Sequence, residues 1–423
     1  MNRRHFLRTG SAATSGILLL KPATAFGYQA NSAVRLGLLG CGSRGTAVST
    51  SFSKNTTAQV VALADLFPDQ LATARDHFNQ LNTTLNRSPI DSKLLFHGPH
   101  AFEQIAASPD VDLVQISTPP FFHVQHLETA VASGKHVYCE KPTGIDVAQA
   151  KQALEIYKRV KPGQSVDVGF QCRNAPPFAA IAQQIQSGAL GKIATIAANY
   201  NAPASKEKTR PGASADELRL RNWLWDRALS GDILVEQNIH IIDLCNWILG
   251  HHPVKATATG GRTILTHAGD CWDNYQVTFT YPGDVRLSFS STQFGDYGGF
   301  DAGIRMYGSE GSASLAYSGP VQILGAHAWS AQDSSGSTGS GTFAANGSFA
   351  DNLAFADRDK ERTFIESIVS GSSHNQIAAG VETSLSCMLG RMAAYQRREV
   401  TWDDLLQHGE IYKLGMDLNQ FTS

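Results

Sequence analysis

Apolar and polar positions alternate in two different textures along this chain. From Val34 onward, the short apolar runs VRLGLLG, QVVALAD, VDLVQIS and HVYCE are separated by stretches whose apolar residues recur every three to four positions. Such runs fit buried strands, and the spaced positions fit amphipathic helices. Helices are predicted after VRLGLLG to about Lys54, near Asp69 to Gln80, and from about His123, where Val124, Leu127 and Val131 share a face and Gly134 is the stop. Asp146 is placed to cap a further helix carrying Val147, Ala150, Leu154 and Tyr157. Strand–helix alternation implies a doubly wound parallel sheet with right-handed crossovers, assigned to residues 33–160.

After SVDVGFQ the texture changes. KIATIAANYN, VKATATGG, NYQVTFTYP, VRLSFSSTQF and GIRMYGSEGSASL are long β-rich segments, and Tyr281-Pro282-Gly283-Asp284 joins two of them as a hairpin would. Residues 161–423 are therefore predicted to form an α+β domain with a large, mostly antiparallel sheet. Ser334 to Gly347 reads as a flexible Ser/Gly-rich surface loop, and helices from about Glu361 and through Ala379 to Tyr395 pack back.

Composition narrows the function classes. At 42% hydrophobic and 17% charged, the 423 residues suit an ordinary globular chain with room for two domains. A net charge of -2 supplies no basic field for nucleic acid, so the expected partners are small molecules. The first residues hold Arg3 and Arg4, then Phe6 and Leu7, a mild apolar run to Leu20, and Ala23-Thr24-Ala25 as a small-residue cleavage pattern. This reads as a twin-arginine export leader over residues 1–25, and predicts a periplasmic or secreted protein. Its apolar run is too short to span a bilayer, and no later segment is a spanning candidate. The six cysteines form no CxxC and are read as small core residues, with at most one bridge.

Gly40-Cys41-Gly42-Ser43-Arg44-Gly45 follows a predicted strand and opens a helix, and Asp65 ends the next strand. That order is the dinucleotide fingerprint of a Rossmann domain. Gly40 permits the turn, Gly42 lets backbone approach the pyrophosphate, and the helix N-terminus offers unpaired N–H groups. Asp65 would accept the adenosine ribose hydroxyls and repel a 2′-phosphate, which favours NAD; Arg44, nearby in sequence, keeps NADP as the alternative. Ligands of such sheets collect at the carboxyl ends of the strands. Two further segments end there: Ser117-Thr118-Pro119-Pro120 running to His123, a rigid shelf beside the cofactor, and Glu140-Lys141-Pro142.

VRLGLLGCGSRG, the Glu140-Lys141-Pro142 turn after an STPP strand end, and the later segment SGDILVEQNIHIIDLCNWILG together resemble the Gfo/Idh/MocA family of nicotinamide-dependent sugar oxidoreductases, over nearly the whole mature chain. The resemblance implies that Lys141 lies near both the nicotinamide and the reacting hydroxyl. It also implies that His240 is the acid/base of a D-x-G-x-H-x-x-D pattern, from which this chain departs at Glu236 and Asn238. The segment is predicted as one helix ended by Gly250, with Glu236, His240 and Asp243 near one face. A neutral imidazole at His240 would accept the hydroxyl proton, Lys141 would stabilise the developing alkoxide, and Glu236 would orient the imidazole or bind a neighbouring hydroxyl. Arg173, Trp223 and Asn238 are candidate substrate contacts, with Trp223 and Trp225 equally well explained as core. His123 with His126, and the adjacent His251 and His252, lack the further ligands of a metal site. No nucleophile elbow is present.

Export poses a difficulty, since free NAD is scarce outside the cytoplasm. The expectation is a cofactor loaded before export, held tightly and recycled, during sugar oxidation and reduction or during a glycosidase reaction by transient oxidation and elimination. A non-catalytic sugar-binding protein on the same scaffold is the third reading. Homo-oligomerisation through the C-terminal sheet is expected from the family.

Overall fold

β1 (Val34–Leu39), β2 (Ala58–Asp65), β3 (Leu95–His97), β4 (Leu113–Ile116), β5 (His136–Cys139) and β6 (Val166–Val168) form one parallel sheet in the order β3-β2-β1-β4-β5-β6. The computed structural model describes residues 33–266, 268–294, 300–331 and 351–422, so the expected leader and the Ser334–Gly347 stretch lie outside the described residues. Neighbours β1 and β4 mark the point where strand order reverses, and a crevice opens there at their carboxyl ends. Both faces of the sheet are covered, which is why its strands read as unbroken apolar runs: all four residues of β4 are buried. The sheet extends past residue 160, because β6 adds to β5 at its far edge.

Helices α1 (Ser43–Asn55), α2 (Pro68–Thr84), α3 (Ala101–Ala107), α4 (His123–Ala132) and α5 (Val147–Arg159) connect these strands. The Asp146 carboxylate caps α5 by accepting the Gln149 N–H at 2.8 Å. Gln115 is the one polar residue of β4, and its amide is fully used. Oε1 accepts from Ser49, and Nε2 donates to the Gly45 carbonyl at 3.0 Å and to Ser117 Oγ at 3.1 Å. The buried amide thus ties the glycine loop to the neighbouring strand end.

The second sheet combines β7 (Ile193–Ala202), β8 (Lys255–Gly261), β9 (Asn274–Tyr281), β10 (Val285–Gln293), β11 (Asp301–Gly308), β12 (Gly311–Ala316), β13 (Val321–Gly325), β14 (Trp329–Ser330) and β15 (Val400–Thr401). Its order is β14-β13-β12-β11-β7-β10-β9-β8-β15, antiparallel except where β10 runs parallel to β7. The Tyr281–Asp284 hairpin closes as expected, with Tyr281 paired to Val285. All six cysteines are buried thiols.

α6 (Pro176–Gln186) precedes β7, and α7 (Ala215–Arg221), α8 (Arg227–Ser230), α9 (Ile233–Glu236) and α10 (Ile239–Leu249) lie between β7 and β8; α11 (Ala356–Ser370) and α12 (Ile377–Gln396) come between β14 and β15, and α13 (Trp402–His408) follows β15. The histidine segment is therefore not one helix. Consecutive left-handed residues, Gly231 at φ 83° and Asp232 at φ 76°, break it before α9, and a turn at Gln237-Asn238 separates α9 from α10. The Asp232 carboxylate offsets that conformation by accepting the Ile233 N–H at 2.6 Å and the Tyr395 hydroxyl at 2.6 Å. Gly250 ends α10 as expected, at φ 69°.

Although α11 follows β14 of the second sheet in sequence, it packs on α1 of the first domain. Its Phe364 is fully buried against Phe52 and Tyr138, with ring centroids 6.4 and 6.3 Å away. Truncating such a side chain to alanine costs about 3–5 kcal/mol.

Candidate active site

The glycine loop divides its labour among three positions. A Cβ on Gly40 would come within 2.6 Å of the Ser117 backbone, and one on Gly45 within 2.2 Å of the Gly40 carbonyl, so both positions admit only glycine. A Cβ on Gly42 would meet nothing within 4 Å. Gly42 faces the open groove, as required where backbone approaches a pyrophosphate. A cavity of about 250 Å³ runs from this loop, lined by Gly40, Gly42, Ser43, Asp65, Ser117, Thr118 and Pro119 together with Phe67, Phe122 and His126.

Asp65 stands at the β2 end with its carboxylate already organised: Oδ2 accepts the Cys41 N–H at 2.7 Å and Oδ1 the Phe67 N–H at 2.8 Å. Burial raises its pKa, and those two N–H groups counter part of the rise. These residues fit a dinucleotide. NAD, when bound, supplies the hydride acceptor.

Three residues assigned to the cofactor serve other purposes. Arg44 turns away from the groove, donating to Glu140 Oε1 at 2.8 Å and pairing with Asp357 at 3.0 Å. Its charge is consumed by two carboxylates, and the NADP alternative loses the cation that had supported it. Glu140 faces the same cluster: it also accepts the Tyr138 hydroxyl at 3.1 Å, and Lys360 binds both Tyr138 Oη and Asp357 at 2.7 Å. Burial alone would raise the Glu140 pKa, but the Arg44, Lys360 and Lys141 charges hold it below the usual carboxylate range. His123 is buried outside the cavity, its ring nitrogens 2.7 Å from the Thr118 carbonyl and 2.9 Å from the Pro142 carbonyl. It fastens one strand end to the other and is a positioning residue.

Lys141 and Glu236 meet across the two domains. Lys141 Nζ donates to Glu236 Oε1 at 2.7 Å and to the Glu236 carbonyl at 2.5 Å, with both side chains nearly buried. An ammonium has three donors, and these are the two hydrogen bonds that Lys141 makes among the described residues. Glu236 thus holds the lysine, not the imidazole as the helical spacing had suggested. His240 lies one turn further on, its ring edge-on to Phe170 and its buried Nδ1 without a hydrogen-bond partner among the described residues. Burial first, then the Lys141 and Arg44 charges, hold its pKa well below the ordinary histidine value, so the ring is neutral. Gln237 Oε1 and Asn238 Oδ1 are also buried and unpartnered. Unsatisfied acceptors of this kind, in the turn that follows Glu236, suit a ligand carrying several hydroxyls.

The remaining assignments divide. Asn238 sits in the turn between Glu236 and His240, its Oδ1 buried and without a partner among the described residues. Arg173 does not present a free guanidinium: it forms a fork with buried Asp243 at 2.8 and 2.6 Å, which also removes Asp243 from the catalytic face. Trp223 lines the cofactor cavity with Leu220 and Arg221, while Trp225 is core. Asp357 and Lys360 were missed because the chain returns α11 to the first domain only after β14 of the second sheet, more than two hundred residues from Glu140. Gln115 could have been found as the single amide in an apolar strand. His126 hydrogen-bonds Thr118 at 3.1 Å and stacks on Phe122. No group of three or more potential metal ligands occurs among the described residues, and no described helix is long and apolar enough to cross a membrane.

Residues 34–168 match the model of an oxidoreductase family with an NAD-binding Rossmann fold, and residues 178–314 match the GFO/IDH/MocA C-terminal domain. The chain belongs to the Gfo/Idh/MocA family. Among curated relatives it is 28% identical to inositol 2-dehydrogenase of Rhizobium meliloti (strain 1021), over 69% of this chain and 78% of that protein. A glycosyl hydrolase family 109 protein of Solibacter usitatus is 32% identical, over only 33% of each chain. The structure of scyllo-inositol dehydrogenase from Lactobacillus casei with bound NAD(H) and scyllo-inositol superimposes with a TM-score of 0.66 at 18% identity, covering 88% of this chain and all of that one. That likeness shows the shared Gfo/Idh/MocA fold: a parallel nucleotide-binding sheet followed by a large, mostly antiparallel one.

Proposed function

We propose that this Gfo/Idh/MocA oxidoreductase acts at a secondary alcohol of a polyol or sugar, with NAD as hydride acceptor. The observation that carries the proposal is the Lys141–Glu236 contact, which joins the strand end of the nucleotide domain to the helix turn bearing His240. In the reaction His240, neutral and half-buried, takes the hydroxyl proton. Lys141, steadied by Glu236, donates its remaining N–H to the oxygen as negative charge develops there. Asn238 and Gln237 accept hydrogen bonds from neighbouring hydroxyls. The inositol dehydrogenase relative supports a polyol substrate.

A redox-neutral second reading is favoured by the similarity to a glycosyl hydrolase family 109 protein over a third of the chain. In it the same two residues would serve transient oxidation of a glycoside, elimination of the aglycone and re-reduction. Either chemistry suits an exported enzyme that carries its cofactor with it, as the twin-arginine pattern at Arg3 and Arg4 suggests. We also assign the open face of the second sheet to a second copy of the chain. That face is a concave surface of about 960 Å³ paved with small polar residues such as Asn199, Thr257, Gln276 and Ser288.

The test is to purify the mature protein without added nucleotide and supply inositols, sugars and glycosides while following reduced nicotinamide and released aglycone. Accumulation of reduced cofactor with a polyol supports the dehydrogenase, and aglycone release without net reduction supports the second reading. Neither signal, from protein with NAD bound, overturns both.

A further inference from the structure

The nucleotide groove is not built by the first domain alone. Lys208, Leu220, Arg221 and Trp223 of the second domain, and Leu418 near the C-terminus, line the same cavity as Gly42 and Asp65. Two segments carry them: one running from Lys208 through α7 to Trp223, the other the C-terminal stretch from Leu414 to Phe421.

Both segments are anchored to the strand end that carries Asp65. Arg221 forms a fork with Asp69 at 2.8 and 3.1 Å and lies flat over the Phe67 ring, 4.1 Å from its centroid. Phe421 also packs edge-on with Phe67, their ring centroids 5.6 Å apart. The two segments also hold each other: Arg219 donates to the Leu414 carbonyl at 2.6 Å, and Gln420 to Asp216 at 2.9 Å. Leu414, Met416 and Leu418 point inward at alternate positions and join Phe67, Phe122 and Leu220 in a small apolar cluster separate from both main cores. Phe67, Phe122, Leu220, Trp223 and Leu418 of this cluster line the same cavity as Asp65, at the end of the groove where Asp65 would meet the adenosine ribose.

We propose that these two segments form a wall that retains NAD, with Arg221 and Phe421 as its fastenings, so that the cofactor leaves only when the wall detaches from Phe67 and Asp69. The proposal rests on NAD occupying the Gly42–Asp65 groove, and it is independent of which alcohol is oxidised. An apolar cover excludes water from the adenosine end, and parallel attachment at an ion pair and an aromatic contact makes detachment slow rather than binding stronger in every state.

The test uses full-length mature protein loaded with isotope-labelled NAD and chased with unlabelled NAD, the label remaining on the protein being counted over time. Phe421→Ala and, separately, Arg221→Gln are compared with wild type and with Lys413→Ala, an exposed neighbour outside the cluster. The expected result is release about tenfold faster or more in the first two variants, from the loss of one aromatic or cation–π contact and its shielding, with Lys413→Ala unchanged. Should one variant fail to fold, the other carries the test. Release within twofold of wild type from a folded variant that binds NAD overturns the proposal, as does equal acceleration by Lys413→Ala. An enzyme that turns over polyols yet fails this test loses only the wall; one that passes it while turning over nothing loses only the proposed reaction.

Discussion

Lys141 Nζ sits 2.7 Å from Glu236 Oε1 and 2.5 Å from the carbonyl of the same residue, so a single residue of the second domain fixes the lysine of the first. Glu236→Gln keeps the carbonyl contact and an acceptor oxygen but removes the charge. The expected outcome is a fall in kcat of about 10-fold to 100-fold, with NAD binding unchanged, because an ion pair is exchanged for an ammonium–amide hydrogen bond. Steady-state kinetics with the best substrate of the panel, beside NAD titration, checks it.

His240 is predicted to act as the proton acceptor without contributing to the nucleotide groove. His240→Asn should lower kcat roughly 10²–10⁴-fold while leaving NAD affinity within about twofold of wild type. Parallel loss of NAD binding would assign the ring a structural role instead.

The pH profile follows from the direction of the His240 shift. Its folded pKa lies well below the ordinary 6.5. The neutral, base-competent ring therefore persists as pH falls through 6.5, and is lost only as pH drops through the lowered value. A kcat/KM profile with no downward break near 6.5 is expected, and a single ionisation close to 6.5 that disappears in His240→Asn would contradict it.

Glu361 gives a second pH prediction, for stability. Buried in α11, with Oε2 accepting the Ser51 hydroxyl and Oε1 without a partner, it has its pKa pushed up to about 8 from an ordinary 4.5. A carboxyl raised on folding contributes stability that is fully present below the unfolded value, and that contribution is lost as pH rises through the folded one. Wild type should lose, relative to Glu361→Gln, on the order of a few kcal/mol between about pH 5 and about pH 9, as read by urea denaturation of the two proteins.

The glycine loop separates binding from folding. Gly42→Ala places a methyl in open groove, and should leave the melting temperature unchanged while weakening NAD binding by an order of magnitude or more. Gly45→Ala drives a methyl into the Gly40 carbonyl, and should destabilise the domain itself by about 1–3 kcal/mol. Calorimetry with and without NAD distinguishes the two.

Much of this was legible in the chain because it is local. Strand and helix periods, the glycine loop, the Asp146 cap and the Tyr281–Asp284 hairpin are each decided by residues a few positions apart. Lys141 and His240 were legible as chemistry, being charged or titratable groups at element ends. What was not legible depends on distant pairings. Arg44 looked like a cofactor residue until Asp357, 313 positions away, claimed it. Trp223 looked like a sugar contact until the fold laid its segment over Asp65. Glu236 and His240, four apart, suggested one continuous helical face, but the turn at Gln237-Asn238 and the reach of Lys141 from the other domain sent the carboxylate elsewhere.

The central claim is that the Lys141 ammonium acts on the reacting oxygen and not on the cofactor alone. The most direct measurement is single-turnover reduction of protein-bound NAD by the preferred alcohol, in wild type and in Lys141→Met loaded to equal cofactor occupancy. The expected result is the same amount of bound NAD in both, with reduction at least about 10²-fold slower in the variant. Reduction at the wild-type rate in Lys141→Met would contradict it.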